Sequence, residues 1–197
     1  MLYGFEGGLG SGKTVGCVRY IKKDSNKDLP ILSNIDLYDI EYNILDVDKM
    51  LQNEYNKVEL YNVSILIDEI TLYMDCRLST TKQNRVFSYF VLQSRKNGVN
   101  VYYTTQDFGM TDKRLYNFTH IYVLCEMIFP NEEPELTVKY GIDKEYGCIK
   151  DIRRYIYMDF RNRNKPQRTE IIVYIKPYYD NYDTDQKILP IFNKNDE

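Results

Sequence analysis

The chain has no tryptophan, one histidine and only four cysteines among its 197 residues. The cysteines are scattered and none forms a Cys-x-x-Cys pair, which argues against a zinc site and suits a reducing compartment. The single histidine, His120, stands inside an apparent strand, and we interpret it as a structural strand residue rather than a catalyst. The chemistry of this chain is therefore not expected to rest on histidine or on zinc.

Long apolar runs and an excess of positive charge are also missing. The apolar runs are short, such as residues 65–67, so we expect no transmembrane span, no signal peptide and no direct membrane insertion. With a net charge of −3, any contact with nucleic acid has to come from local basic patches. Hydrophobic residues make up 43% of the sequence, which at this length predicts one globular α/β domain over residues 1–197.

A glycine-rich segment, GFEGGLGSGKTV, spans residues 4–15 and contains Gly-x-x-x-x-Gly-Lys-Thr. It lies between a predicted strand (2–5) and a predicted helix (13–22), the order that a phosphate-binding loop requires. Backbone N–H groups at such a helix N-terminus bind phosphate. Lys13 is predicted to reach the β- and γ-phosphates and Thr14 to ligate Mg²⁺. The predicted nucleotide-binding residues are Gly7, Gly8, Leu9, Gly10, Ser11, Gly12, Lys13, Thr14 and Val15.

An acidic pair, Asp68 and Glu69, lies in the segment ILIDEI at residues 65–70. Asp68 closes an apolar strand predicted at 63–68, which places it at the carboxyl edge of a parallel sheet, where ligands bind in such folds. There Asp68 can hold Mg²⁺ through water, and Glu69 can orient and deprotonate a water for attack on the γ-phosphate. The pair predicts nucleotide hydrolysis by water rather than phosphoryl transfer to a small acceptor.

A polar residue also follows the strand predicted at 99–105. Gln106 comes directly after it, so this side chain too is expected at the carboxyl edge of the sheet. If that strand lies between the phosphate-loop strand and the Asp68 strand, Gln106 faces the γ-phosphate and can sense hydrolysis. A solvated glutamine at a strand end is the competing interpretation.

Strand and helix patterns alternate along the first 125 residues. Strands are predicted at 29–35, 63–68, 99–105 and 119–125, with a short helix at 46–57 and a longer helix capped by Ser79 and stopped by Gly98. This alternation predicts a mainly parallel sheet with helices on both faces. The segments 135–141, 151–160 and 168–177 are interpreted as strands, which predicts an antiparallel β extension over 126–197 and a tail from Pro177 that wraps the surface.

The segments GGLGSGKT, ILIDEI and LQSRKNGVNVYYTTQ together resemble the FtsK–HerA superfamily of DNA-pumping ATPases, to which viral genome-packaging ATPases belong. LPILSNIDL and SRKNGVNVYYTTQ also resemble the zonula occludens toxin-like proteins of filamentous phages. The resemblance covers about residues 1–125. It implies a P-loop NTPase fold of the RecA/ASCE type, with ATP and Mg²⁺ as ligands. The toxin-like proteins usually carry a transmembrane segment, and its lack here favours packaging in the host cytoplasm or on the virion.

The same resemblance implies a homo-oligomeric ring, commonly a hexamer, with ATP between subunits and an arginine supplied in trans. Arg95, in SRKNG, matches the family's arginine before the glycine and is assigned a catalytic role by that match. Arg77 and Arg85, which follow the acidic pair, are rivals, and a helix-capping role for Arg95 is the alternative. Viral DNA and a capsid or portal-vertex protein are the further partners implied.

One basic segment, RNRNKPQR at residues 161–168, contains no acidic residue. It joins two predicted antiparallel strands, so we expect an exposed hairpin tip that contacts DNA phosphates without reading bases. A solvated loop that keeps the sheet edge from aggregating is the competing interpretation. A second candidate surface lies in residues 77–85. The predicted DNA-binding residues are Arg161, Arg163, Lys165, Arg168, Lys82 and Arg85.

The function predicted from the sequence is an ATP-driven motor that translocates DNA, packaging a viral genome into a preformed capsid. A toxin-like ATPase for assembly or extrusion of filamentous phage is the alternative within the resemblance. A small-molecule kinase fits Glu69 and Gln106 poorly, and a non-catalytic scaffold is disfavoured by the intact set Lys13, Thr14, Asp68 and Glu69.

Overall fold

The strand in front of the glycine-rich loop lies in the interior of an eight-stranded sheet. The computed structural model describes residues 1–46, 49, 60–94, 96–159 and 165–183. The strands are β1 (Leu2–Glu6), β2 (Ile31–Ser33), β3 (Asn43–Ile44), β4 (Ser64–Ile67), β5 (Asn100–Thr105), β6 (Ile121–Met127), β7 (Ile152–Asp159) and β8 (Arg168–Val173). The helices are α1 (Lys13–Ser25), α2 (Lys82–Ser94), α3 (Lys113–Phe118), α4 (Pro134–Tyr140) and α5 (Lys176–Tyr179). Short 3₁₀ turns lie at Ile70–Leu72, Cys76–Leu78 and Phe108–Met110.

The strand order is β3-β2-β4-β5-β1-β6-β7-β8. Strands β1 to β6 pair in parallel, whereas β7 pairs antiparallel with β6 and β8 antiparallel with β7. This arrangement confirms the predicted α/β fold with a mainly parallel sheet and an antiparallel C-terminal extension. It also places β5 between β4 and β1, so the residues that follow these three strands lie side by side at one edge.

Helices cover both faces of the sheet. On one face, α1 buries Val15, Val18 and Ile21 in a cluster that includes Phe5 of β1 and Leu66 of β4. On the other face, α2 buries Phe87 and Val91 in a second cluster with alternate residues of the same strands. Burial on both faces explains why Ile65, Leu66 and Ile67 of β4 are apolar without alternation.

One predicted strand is a helix. Residues 134–140 form α4, where the sequence indicated a strand at 135–141. Pro134 occupies the first turn, where its missing N–H costs nothing, and Leu136 and Tyr140 pack together on the small cluster around Ile128. Val138 is 90% exposed, so the apolar residues follow helical spacing and the alternation of the sequence is coincidental.

The other predicted elements that fall within the described residues differ from the structure in their bounds. The helix predicted to be capped by Ser79 begins instead at Lys82, and the Thr81 hydroxyl accepts a hydrogen bond from the Asn84 N–H. The helix predicted at 46–57 lies almost entirely outside the described residues. Tyr182, in the tail, is buried and bridges to Leu37, whereas residues 184–197 fall outside the description. None of the helices described is both long and apolar enough to cross a membrane.

Candidate nucleotide-binding site

The glycine-rich loop leaves β1 and enters α1 through backbone conformations that only glycine adopts without strain. Gly10 has a φ of 69° and Gly12 a φ of 90°, both in the left-handed region. A Cβ on Gly12 would lie 2.9 Å from the Tyr155 hydroxyl, so this position also lacks room for a side chain. The loop therefore has the tight turn that directs backbone N–H groups toward a bound anion.

Two side chains of this loop fit a phosphate ligand. The Lys13 side chain is buried and its ammonium donates to the Gly8 carbonyl oxygen at 2.9 Å, so the lysine is folded back over the loop. The Ser11 hydroxyl is buried and has no hydrogen-bond partner among the described residues. A buried hydroxyl without a partner carries a cost that a bound phosphate oxygen can remove. The residues present therefore fit a nucleotide whose phosphates lie in the loop.

Asp68 lies at the end of β4, within reach of the loop. Its Oδ1 accepts hydrogen bonds from the Thr14 hydroxyl at 3.0 Å and from the Thr104 hydroxyl at 2.7 Å. Burial raises the pKa of the Asp68 carboxyl, and the two hydroxyl donors and the charge of Lys13 oppose this only in part. A carboxylate and a threonine hydroxyl are the oxygen ligands that Mg²⁺ takes in nucleotide sites, so Thr14 and Asp68 are the residues here that could hold it.

Asn34, which directly follows β2, holds the backbone of Asp68 from the opposite side. The Asn34 amide donates to the Asp68 carbonyl oxygen at 2.9 Å, and its Oδ1 accepts from the Asp68 N–H at 2.7 Å. A paired contact of this kind fixes the strand end that carries the carboxylate. Sequence reasoning missed Asn34, because the strand predicted at 29–35 places this residue inside the strand, whereas the observed strand ends at Ser33.

Glu69 is held in an uncommon backbone conformation beside Asp68. Its φ of 52° lies in the left-handed region, and its N–H donates to the Thr104 hydroxyl at 2.8 Å. Burial, followed by the negative charge of Asp68, raises the pKa of the Glu69 carboxyl. Lys13 and a hydrogen bond with the Gln106 side chain act in the other direction. A raised carboxyl pKa is the property of a base that takes a proton from water near neutral pH.

Gln106 follows β5, the strand between those of Asp68 and the glycine-rich loop. The side chain is exposed and interacts with Glu69, so it lies beside the acidic pair at the carboxyl edge. The condition set from the sequence, that β5 separates β4 from β1, is met. Gln106 therefore lies beside Glu69 at the carboxyl edge of the sheet, as the sequence predicted.

The antiparallel extension supports the loop from its outer side. The Arg153 guanidinium donates from Nε to the Gly10 carbonyl at 2.8 Å, and the Tyr155 hydroxyl donates to the Gly12 carbonyl at 2.8 Å. Both side chains are buried on β7. Neither was predicted, because they lie more than a hundred residues from the loop and no local pattern indicates the contact. They make the extension part of the candidate site.

The candidate trans-acting arginines occupy different environments. Arg95 lies outside the described residues. Arg77 is exposed but ion-paired with Asp75 at 2.6 Å, and Arg85 is exposed and donates to the Thr80 carbonyl at 2.9 Å. Lys82, in the first turn of α2, is also exposed. Lys82 and Arg85 thus lie together in the exposed first turn of α2. Both rival arginines, Arg77 and Arg85, contact groups of their own chain.

The predicted DNA-binding hairpin is described only in part. β7 and β8 pair antiparallel as expected, but Arg161 and Arg163 lie outside the described residues. Lys165 is exposed, and Arg168, at the start of β8, lies 4.1 Å from the centre of the Tyr157 ring. Arg168 also forms an ion pair with Glu170 at 3.3 Å. Its side chain is therefore held against the sheet by these contacts.

Comparison with solved structures identifies the fold. The N-terminal domain of zonular occludens toxin from Neisseria meningitidis matches with a TM-score of 0.60 and 15% identity, over 92% of this chain and 98% of that one. The genome-packaging NTPase B204 of Sulfolobus turreted icosahedral virus 2, in complex with ATP-γ-S, matches at 0.54 and 15%, over 88% and 96%. A KaiC-like protein of Pyrococcus horikoshii matches at 0.53 and 15%, over 87% and 88%.

These likenesses establish the P-loop NTPase fold predicted from the sequence, and they confirm at the level of the fold the resemblance to packaging and toxin-type proteins. Neither the protein-family models nor the curated protein sequences give a match to the chain.

Proposed function

We propose that this chain is an ATPase that uses hydrolysis to move DNA, and that it packages viral genomic DNA into a preformed capsid. The observation that carries the ATPase part is the arrangement around Thr104. One hydroxyl donates to Asp68 and accepts from the Glu69 N–H, while Thr14 of the phosphate loop donates to the same Asp68 oxygen. A phosphate loop, a candidate metal ligand and a candidate base thus share one small hydrogen-bonded unit.

Each residue of this unit has a separate task. Backbone N–H groups of the loop and Lys13 bind and orient the phosphates of ATP, and Lys13 exchanges its contact with the Gly8 carbonyl for phosphate oxygens. Glu69 accepts a proton from the attacking water, and Gln106 orients the carboxylate of Glu69 and senses the loss of the γ-phosphate. Mg²⁺, when bound by Thr14 and Asp68, would neutralise part of the negative charge on the phosphates.

The DNA part rests on the fold and on local charge. The compared proteins include a genome-packaging NTPase, and this chain covers 96% of its length. Lys165 and Arg168 on one surface, and Lys82 and Arg85 on another, offer positive groups for phosphates in a chain of net charge −3. A hexameric ring, a capsid or portal-vertex partner and a site of action in the host cytoplasm or virion belong to the same proposal.

A second candidate within this fold is an ATPase for the assembly or extrusion of filamentous phage. The match to the zonular occludens toxin domain, with a TM-score of 0.60 over 92% of this chain, favours it. Both candidates require ATP hydrolysis coupled to DNA. They differ in the partner to which the motor is attached, a capsid vertex or a membrane assembly site.

Substitution of Glu69 tests the hydrolytic site. We expect Glu69→Gln to bind ATP within a few-fold of wild type and to lose about 10² to 10⁴ in turnover, the range of a positioned general base. Lys13→Ala should instead lose ATP binding, and Glu135→Gln, on the exposed face of α4, should match wild type. Binding is measured with a fluorescent ATP analogue and turnover by phosphate release. Near-normal turnover of Glu69→Gln would transfer the role to another carboxylate.

Two further readouts separate the proposed motor from other classes. Steady phosphate release without any added small acceptor distinguishes an ATPase from a small-molecule kinase. Stimulation of that rate by DNA distinguishes a motor from a nucleotide-binding scaffold. Single- and double-stranded DNA are compared at equal phosphate concentration on protein whose size in solution is measured in parallel.

A further inference from the structure

A basic pocket lies away from the phosphate loop, where the last two turns of α1 meet the β7–β8 hairpin. Its volume is about 230 Å³, and its charged lining residues are Arg19, Lys23, Arg168 and Glu170. Three positive side chains thus face one carboxylate, so the pocket carries a positive excess in a chain that is acidic as a whole. An excess of this sign inside a concave surface attracts anions.

Two of the cations are fixed in place by the carboxylate. Arg19 and Arg168 each contact Glu170, at 3.0 Å and 3.3 Å respectively. Burial acts to raise the pKa of Glu170, but the hydrogen bond and charge of Arg19 outweigh it and hold the pKa below its usual value. Glu170 therefore remains ionised at neutral pH and neutralises only part of the charge it organises.

Aromatic rings complete the pocket and orient the guanidinium groups. The Arg168 guanidinium lies 4.1 Å from the centre of the Tyr157 ring, and its Nη2 donates to the Tyr20 hydroxyl at 3.4 Å. Arg19 lies 5.7 Å from the centre of the Tyr178 ring. A guanidinium packed over an aromatic ring keeps its N–H donors in place, and the planar fork of these donors suits a phosphate group.

Lys23 distinguishes a binding site from a structural ion pair. Arg19 and Glu170 tie α1 to β8 and would be needed for that purpose alone. Lys23 is exposed, lies one turn from Arg19, and forms no ion pair with any carboxylate among the described residues. Its charge is therefore not used by the hairpin contact, and Lys165, also exposed, lies three residues before Arg168.

We propose that this pocket binds a phosphate group in the backbone of a nucleic acid strand, with Lys23 and Arg168 as the contacting cations. The inference rests on the DNA-translocating function proposed above and assigns one of its contact points. Contact through charge to a backbone phosphate is independent of base sequence, as a motor that passes along DNA requires. Salt then weakens the contact, because phosphate binding releases counterions.

The test measures binding of a fluorescent single-stranded oligonucleotide over a series of KCl concentrations, with ADP and Mg²⁺ present to fill the phosphate loop. Lys23→Ala should bind several-fold more weakly and reduce the slope of log affinity against log salt by about 0.7, the value for one lost contact on a single strand. Lys96→Ala, an exposed cation beyond α2, is the control and should leave both quantities unchanged. Inorganic phosphate should displace the oligonucleotide better than chloride at equal ionic strength.

The outcomes separate failure of the pocket from failure of the proposed function. If wild type binds the oligonucleotide and Lys23→Ala keeps the same slope, the pocket assignment is wrong and the DNA-translocating function stands. If wild type hydrolyses ATP but binds neither the oligonucleotide nor its duplex, both the pocket and the DNA part are overturned while the ATPase part stands. Displacement by phosphate no better than by chloride also rejects a phosphate site.

Discussion

At the scale of single residues, Thr104 links the two acidic side chains of the candidate site. Its hydroxyl contacts Asp68 Oδ1 at 2.7 Å and the Glu69 N–H at 2.8 Å, and the side chain is fully buried. Thr104→Val keeps the shape and removes both contacts. Because hydrogen bonds to charged groups contribute about 1.5 to 3 kcal/mol, we expect kcat to fall about 10- to 100-fold.

The direction of the kinetic change identifies the role of Thr104. A positioning residue should affect kcat and leave the affinity for ATP within about threefold, because the phosphate loop itself is untouched. Thr104→Ser, which keeps the hydroxyl, should recover most of the rate. A fall in ATP affinity equal to the fall in kcat, with no recovery in the serine variant, would mean that Thr104 acts only in packing.

Asp68 makes a prediction about pH, because burial raises the pKa of its carboxyl in the folded chain. A carboxyl with a raised pKa binds its proton more tightly when folded, so this contribution to stability falls as pH rises through the folded-state pKa. A tenfold difference in proton affinity between the folded and unfolded chain corresponds to about 1.4 kcal/mol. Without nucleotide or metal, Asp68→Asn should gain stability relative to wild type as pH increases, and the gain should vanish below about pH 4.

Urea unfolding of both chains from pH 4 to pH 8 checks this expectation. The asparagine also changes the hydrogen bonds with Thr14 and Thr104, but that effect adds a constant at all pH values. Only a difference in the free energy of unfolding between Asp68→Asn and wild type that widens with pH shows that burial destabilises the ionised Asp68 carboxylate. A constant difference would show that burial of the carboxylate has no net effect on the stability of the folded chain.

At the scale of elements, the antiparallel extension holds the phosphate loop in shape. Tyr155→Phe removes only the hydroxyl that donates to the Gly12 carbonyl, at 2.8 Å, and leaves the buried ring in place. A hydrogen bond of about 0.5 to 1.5 kcal/mol that preorganises the loop corresponds to an ATP affinity about 2- to 10-fold lower. Tyr102→Phe is the control, because its buried hydroxyl donates to Asp24, away from the loop. Equal ATP affinity of the two variants by calorimetry would contradict the supporting role.

The elements also show how far local sequence patterns reach. The phosphate loop, the acidic pair and Gln106 could be predicted because each depends on a residue's place relative to its own strand. The helix at 134–140 could not, because its apolar residues alternate in the sequence while only Leu136 and Tyr140 find a partner surface. The supports of the loop at Arg153 and Tyr155 depend on pairing between distant segments, which no local spacing records.

At the scale of the whole molecule, the proposed ring would divide each ATP site between two subunits. The two rival arginines, which follow the acidic pair in the sequence, are engaged within their own chain, Arg77 with Asp75 and Arg85 with the Thr80 carbonyl. Arg95, outside the described residues, is the arginine that the family resemblance assigns to the neighbouring site. Arg95→Ala should therefore lose about 10³ to 10⁵ in turnover, the contribution of an arginine supplied in trans.

Mixing two inactive chains tests this division of labour. Lys13→Ala subunits keep Arg95, and Arg95→Ala subunits keep the phosphate loop, so in an equal mixture about one interface in four unites the two intact halves. Activity should return to a corresponding fraction of the wild-type rate, and only above the protein concentration at which subunits assemble. The same mixture with Arg77→Ala or Arg85→Ala in place of Arg95→Ala is the control. If Arg77→Ala or Arg85→Ala is inactive alone and recovers in the mixture while Arg95→Ala does not, the role belongs to that arginine. Hydrolysis by a dilute monomer at the full rate would remove the need for any arginine in trans.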